Sequence, residues 1–516
     1  SAAIAGLLRS QGTEGVTTAG ERLLTLVGSA VPAERATAAR LLADVPTSSF
    51  HRPLFSLLHD PDTEVQRAAL WAAGRLGNEG FWPQVVARIG CPPVRRTAAA
   101  ALVAGGEAAL PAMAAAFAQP GGSPEVQARL AQVAGRIGGA QAVSWLEGHL
   151  RHPDAGVRSE VLRALSRCAY QAQEQIRISA CRQIEAEAEF VVEGLTRVRD
   201  LSGSGAAPAL PEPAGSLLRR ALEGGISQAR ERVFFLLSFL YDRDTVLRAR
   251  DNLALAAEKQ GYALEVLDLL LGGDLKRLVF SLLTPPSPQQ EARHPSGGPG
   301  HWNGLQLLAD VLSAPAGRTN AWTRATALYA AGAMIPQVAQ VVLAGQPAAD
   351  RLRQAIQTLL LPPKTLVGET ATWALYQLDG TSSLSAQSGK VHMLTIEKVL
   401  ALRQASIFGQ TSDETLAEIA PLLEEVSLPA GQTILSKGDL GDCMYLIVGG
   451  EVRVHDGEHT LNYLQAGDVF GEMAVLTSEP RMASVTAVVE TQLLRLDQEA
   501  LYEVIADHSE VSRGII

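Results

Sequence analysis

A multidomain chain is predicted: an all-α solenoid of helical repeats, followed by a small β-barrel of the jelly-roll kind flanked by helices. Three observations carry this expectation. A signature recurs at intervals of roughly 30 residues near the N-terminus, as stacked helical units do. The hydrophobic pattern switches to period two beyond Gln432. Charge is also divided unevenly: of 54 acidic and 44 basic residues, 20 acidic and 7 basic ones lie from Glu397 onward, so that part carries −13 and the rest +3. Neither part has the basic stripe of a nucleic-acid binder, and no nucleic-acid partner is expected.

The 516 residues are 47% hydrophobic but only 5% aromatic, which suits packed helices better than a large sheet. The repeat is carried by the turn-and-helix segments that begin at Asp60, Cys91, Gln119 and His152. Each opens on a proline-containing turn, then places a valine, then Arg or Gln, then apolar residues at helical spacing. The anchoring valines are Val65, Val94, Val126 and Val157, separated by 29, 32 and 31 residues. Asp60 is expected to cap its helix, with Pro61 at the first helical position. Val65, Ala68, Ala69, Ala72 and Leu76 then share one face. Segments such as 85–89 and 110–117 leave room for a partner helix, and two helices per repeat make an α-solenoid. The pattern resembles HEAT repeats over about residues 30–170.

Three segments follow as expected domains: 1–170 as helical repeats, 171–390 as continued helical structure with a Pro/Gly-rich loop at 284–301, and 391–516 as the β domain. Between 171 and 390, residues 203–205 give only Gly-Ser-Gly, with Pro208 where a dinucleotide fingerprint needs its third glycine. The uncharged stretch 325–349 is long enough to span a bilayer. Its glutamines and Pro336 fit two short buried helices better. Cys91, Cys168, Cys181 and Cys443 form no CxxC pair and are expected to be reduced thiols. No GxSxG, HExxH or P-loop occurs, His51, His59, His294, His301, His392, His455 and His459 lack ligand spacing, and no enzyme is expected. The first residue is Ser, from which a longer parent chain is expected.

In the last segment, helices are predicted over about 394–404 and 413–425. Short period-two runs follow, separated by Gly/Asp turns at 437–442, 448–451 and 466–468, with a final helix from about Asp497. Residues 470–485 read FGEMAVLTSEPRMASV. Arg481 supplies a fixed, forked cation. Gly471 lets the main chain come close, and Glu472 can accept a hydroxyl hydrogen bond.

The order of elements and this run resemble the cyclic-nucleotide-binding domain of bacterial catabolite activators and of protein kinase A regulatory subunits. The resemblance implies a binding site formed by Phe470, Gly471, Glu472, Met473, Ala474, Arg481, Met482 and Ala483. Arg481 would meet the cyclic phosphate, Glu472 the ribose 2′-hydroxyl, and amides near Ala474 and Met482 the phosphate oxygens. In that family a Thr or Ser after the arginine often helps to recognise guanine. Met482 offers no donor, so cAMP is expected over cGMP. In the activators a long helix leads to a helix-turn-helix, whereas this chain ends at Ile516, about twenty residues past the last strand, and DNA binding is not expected.

Segments 230–242 and 262–279, followed by such a domain, are similar to the soluble tails of bacterial transporters of the ATP/ADP-translocase or major-facilitator kind. The combined resemblance implies a cytoplasmic, cyclic-nucleotide-sensing regulatory region, perched on a helical interaction surface. It would control an attached inner-membrane transport module or a protein partner, with a homo-oligomer open. A ligand-independent scaffold is the alternative.

Overall fold

The computed structural model describes residues 13–43, 51–202, 210–253, 255, 257–283, 304–315, 317–342, 347–360, 365–378, 393–477, 479–498 and 500–502. The loop expected at 284–301 and the Gly-Ser-Gly run at 203–205 lie outside them. Two compact units divide the chain, one of residues 1–188 and 228–284, the other of 189–227 and 285–516. This partition differs from the three sequence segments because the long helices Glu174–Ser202 and Ala214–Leu240 each contribute to both units.

In the first unit, helices Pro32–Leu42, Thr63–Leu76, Arg95–Gly105, Pro124–Ile137 and Ala155–Arg167 stack in succession. The shorter helices His51–Leu57, Trp82–Ala87, Leu110–Phe117 and Gly139–Glu147 pair with them. Val65, Val94 and Val157 are buried and Val126 is half-buried. The polar residue after the valine ties the repeat to the segment before it. Gln66 Nε2 donates to Asp60 O at 2.6 Å, Gln127 Nε2 to Phe117 O at 2.8 Å, and Arg158 to His152 O at 2.9 Å.

Two glycines at equivalent repeat positions set how closely helices stack. A Cβ on Gly74 would lie 2.8 Å from Ala101 Cα, and one on Gly135 would lie 2.7 Å from Ala164 Cα. Neither position tolerates a side chain without separating the helices.

The helix cap differs from the expectation at Asp60. Asp62 is the cap, accepting from Glu64 N at 3.0 Å and Val65 N at 3.1 Å. Asp60 is instead held by Arg35, with Nε–Oδ2 at 2.7 Å and a second bond to Oδ1 at 2.8 Å. A forked guanidinium pair is stronger than a neutral cap bond, and Asp62 remains free to take the cap. The Arg35 bond holds the Asp60 carboxyl below its ordinary range.

Arg232 and Glu187 form a buried pair in this unit, 3% and 8% exposed, joined at 2.8 and 2.6 Å. Arg232 also donates to Ser159 Oγ at 3.1 Å, which joins two long helices to the last repeat helix. One helical stretch among the described residues, Arg95–Phe117, is long and apolar enough to cross a bilayer. It turns at Gly106, where φ is +58°, and is part of the repeat stack.

In the second unit, helices Gly304–Ser313, Ala321–Val342, Pro347–Thr358 and Leu366–Leu378 share a core that includes Leu308, Val311, Leu328, Ala331, Ile356 and Ala371. Helix Ala321–Val342 runs through Pro336, where two shorter helices were expected. An interior proline costs about 3 kcal/mol. Burial of Trp322, Leu328 and Met334 on the same helix outweighs it at about 1.5–3 kcal/mol per large side chain.

Helices Thr395–Gln404 and Asp413–Ile419 lead into eight strands: β1 Glu424–Leu428, β2 Thr433–Leu435, β3 Cys443–Gly449, β4 Glu451–Asp456, β5 His459–Gln465, β6 Val469–Phe470, β7 Ser484–Ala487 and β8 Thr491–Asp497. They form two antiparallel sheets, ordered β1-β8-β3-β6 and β2-β7-β4-β5. The expected barrel therefore does not close, and the domain is sandwich-like. β2 and β6 hold three and two residues, too few to carry a ladder between the sheets, and Leu440 with Pro480 makes only an isolated bridge.

β3 is buried on both faces. Cys443, Tyr445 and Ile447 point into the core between the sheets, while Met444 and Leu446 point into a second core shared with helices. That accounts for its unbroken apolar run. Gln498, Ala500, Leu501 and Tyr502 are helical, as expected past Asp497.

Glu187→Ala should cost about 3–5 kcal/mol in urea unfolding, because it leaves Arg232 buried without a carboxylate. A loss typical of surface changes, about 0.5 kcal/mol or less, would contradict the assigned role. Asp60→Asn should lower thermal stability at neutral pH. Because the folded-state pKa is lowered, the wild-type advantage is full above the ordinary carboxylate value. It should fade as pH falls through the folded-state value, so melting curves of the two proteins converge in acid.

Candidate functional site

The site forms where three distant stretches of chain meet. Phe470 pairs with Tyr445 across β6 and β3. Gly471 follows with φ at +82°, a conformation that favours glycine. The chain then turns into the short helix Glu472–Thr477, whose first amides have no partner within the helix. Segment 480–481 returns beside the 438–440 turn: Arg481 N donates to Asp439 O at 2.8 Å, and Gly438 N donates to Arg481 O at 2.8 Å. β7 continues from there between β2 and β4.

The Arg481 side chain is 6% exposed. One terminal nitrogen donates to Gly471 O at 2.8 Å and the other to Cys443 O at 2.7 Å. Its guanidinium passes between two glycines. A Cβ on Gly441 would lie 2.2 Å from Arg481 Cζ, and one on Gly471 would lie 2.7 Å from a terminal nitrogen. Among the described residues no carboxylate pairs with it. A guanidinium has five N–H groups; two are directed at these carbonyls, and its full charge remains uncompensated in a buried place. Such an arrangement favours an anion.

Glu472 is half-buried at the first position of the helix, and among the described residues nothing hydrogen-bonds its carboxylate. It can accept from a ligand hydroxyl. Met473 and Met482 are exposed, and Ala483 is half-buried. Ala474 lies within the helix. Phe470 is buried and stacked on Tyr445, with ring centroids 5.2 Å apart, so it is scaffold beneath the site. Burial and the neighbouring Cys443 push the Tyr445 phenol up to about 12, so it stays neutral at physiological pH.

The 438–443 stretch reads in the sequence as a turn between strands, not as part of the site. It supplies three of the backbone groups that hold Arg481, from Gly438, Asp439 and Cys443, plus the gap at Gly441. The signal was the GDLGD turn, in which a second glycine three residues after Gly438 is more than the turn itself requires.

The family description Cyclic nucleotide-binding domain matches residues 425–508, and HEAT repeats matches residues 20–104 and 110–178. A CRP-like cAMP-activated global transcriptional regulator of Mycobacterium tuberculosis is 32% identical over 120 residues, 22% of this chain and 54% of that one. A cyclic nucleotide-gated potassium channel of Rhizobium etli is 41% identical over 90 residues, 17% of this chain and 25% of that one. A cAMP-dependent protein kinase regulatory subunit of Dictyostelium discoideum is 35% identical over 118 residues, 21% of this chain and 34% of that one. The regulatory domain of Toxoplasma gondii PKA, solved with cAMP, aligns at a TM-score of 0.22 and 27% identity, covering 24% of this chain and 49% of that one. The chain spans about half or less of these relatives. It thus carries a C-terminal cyclic-nucleotide-binding regulatory domain of the catabolite-activator and kinase-regulatory-subunit type, and HEAT repeats toward the N-terminus.

Gly441→Ala should destabilise the domain by about 1–3 kcal/mol, the usual cost of overpacking. In a double-mutant cycle with Arg481→Ala much of that cost should disappear, since the clash is with the guanidinium. Additive losses in thermal or urea unfolding would show that the glycine is needed for another reason.

Proposed function

We propose that the chain is a non-enzymatic regulatory region that senses a cyclic nucleotide, with cAMP preferred over cGMP, and couples binding to its helical interaction surface. The observation that carries this reading is the buried Arg481 guanidinium, held by two carbonyls and, among the described residues, by no carboxylate, beside a Glu472 that none of them hydrogen-bonds. A cyclic phosphate would neutralise the first, and a ribose hydroxyl would satisfy the second. The three relatives named above are described as cAMP-activated, cyclic nucleotide-gated and cAMP-dependent. Exposed Met482 offers guanine no donor, which supports the preference for cAMP.

The partner is a protein docked on the repeats or an attached transport module in a membrane, with this region on the cytoplasmic side. The resemblance of the helical segments to transporter tails supports that choice. So does the occurrence of this domain type in a gated potassium channel. The alternative, a ligand-independent scaffold, is favoured by one observation: Arg481 already bonds two main-chain carbonyls and so has a structural use without any ligand.

Isothermal titration separates the two readings. The chain should bind cAMP more tightly than cGMP, and Arg481→Ala should lose about 2–5 kcal/mol of affinity, the penalty for truncating one side of a buried charge contact. Melting curves check that the variant is folded. Absence of binding by either nucleotide would leave the scaffold reading.

A further inference from the structure

We propose that the helices of the second unit clasp the two leading helices of the nucleotide domain, and that this clasp is coupled to the ligand cassette, residues 469–484, through one continuous core. The ligand-dependent part rests on the function proposed above. Three polar ties form the clasp, each from a different helix. Arg220, on helix Ala214–Leu240, donates from Nε to Asp413 Oδ2 at 2.8 Å, and Arg403 lies 3.4 Å from the other oxygen. Asn320, which begins helix Ala321–Val342, donates to Glu414 Oε1 at 3.1 Å. Glu369, on helix Leu366–Leu378, accepts from Thr395 Oγ1 at 2.7 Å. Asp413 and Glu414 open helix Asp413–Ile419, and Thr395 opens helix Thr395–Gln404.

Beneath these ties lies one buried cluster. Leu217, Ala221 and Trp322 of the clasping helices pack in it with Ile396, Leu402, Phe408 and Leu416 of the nucleotide domain. Val475 belongs to the same cluster and is fully buried. It sits three residues after Glu472 in helix Glu472–Thr477, the cassette helix. Close-packed interiors do not deform continuously, so a shift of the cassette helix must be repacked against the leading helices and their clasp. The ties can exchange with water. Arg220 is about one-third exposed, whereas Arg232 in the buried pair with Glu187 is not. Coupling of this kind is reciprocal: a weakened clasp must change nucleotide affinity by the same factor that the nucleotide weakens the clasp.

Hydrogen exchange on the full chain tests this, with Arg220→Ala and, as an independent and milder lesion, Asn320→Ala. In both variants amides in 395–419 should exchange faster, and so should amides in 469–484, which neither residue touches. The dissociation constant for cAMP should shift by about five-fold or more. Faster exchange confined to 395–419 with the cassette unchanged would overturn the coupling. No change in either segment would overturn the clasp itself. If the wild-type chain binds no cyclic nucleotide, the proposed function fails and the exchange pattern alone judges the clasp.

Discussion

The geometry of the nucleotide domain depends on placing one guanidinium, that of Arg481, where no carboxylate of the described residues accompanies it. The place is narrow. Gly441 and Gly471 bound it on two sides, and the carbonyls of Cys443 and Gly471 fix its two terminal nitrogens. These groups come from the start of β3, the end of β6 and the turn before β3. They meet only because β6 pairs with β3 and because the 438–440 turn is bonded to the main chain of Arg481 itself. The sandwich is thus the means by which residues some forty positions apart are held within a hydrogen bond of each other. Phe470 contributes from below, stacked on Tyr445, and fixes the turn that Gly471 makes.

A second consequence follows from β3 having two buried faces. A sheet with one wet face would isolate the cassette from whatever precedes it in the chain. Here the outer face of the first sheet is covered by the leading helices, and their own outer side is covered by Leu217, Ala221 and Trp322. The cassette helix enters the same core through Val475. In the repeat stack of the first unit, by contrast, each helix packs on its neighbours in sequence, and the contacts are local by construction. Long-range communication needs contacts of high sequence separation, such as the 193 positions between Arg220 and Asp413.

The sequence was most legible where a local rule decides the outcome. The valine spacing located the repeat helices, and the period-two runs located the strands. FGE and PR at a fixed interval located the cassette. It was least legible where the outcome depends on a partner far along the chain. Asp60 reads as a helix cap until Arg35 is brought to it. Pro336 reads as a break until the burial on its helix is weighed against it. Phe470 reads as part of the binding run, yet its ring faces the core, because strand alternation and not motif membership decides which way a side chain points. Gly74 and Gly135 carry no local signal beyond recurring at the same repeat position. Their meaning lies in Ala101 and Ala164 on the next helix. Barrel or open sandwich was beyond the pattern altogether, since closure depends on ladders between strands that are not neighbours in sequence.

Among the described residues Arg232 and Arg481 are the most deeply buried arginines, yet they do different things, and the comparison bears on which is structural. Arg232 faces Glu187 at two oxygens and Ser159 at a third contact, so its charge is matched where it lies. Nothing is left for a ligand, and the pair serves to join helices. Among the described residues Arg481 is matched only by dipoles. Two carbonyls reduce the cost of burying a cation but do not cancel its charge, and the desolvation penalty for an unpaired ion is several kcal/mol even after relaxation. A fold that needed only to fill this space could do so with an apolar side chain at no such cost. Retaining a cation there, beside a carboxylate that opens the adjacent helix and has no partner among the described residues, suits a site that an anion bearing a hydroxyl completes. The nearest helix is also the one whose buried face reaches the clasp. Neutralising Arg481 therefore acts on the same short segment that the packing connects to the rest of the second unit.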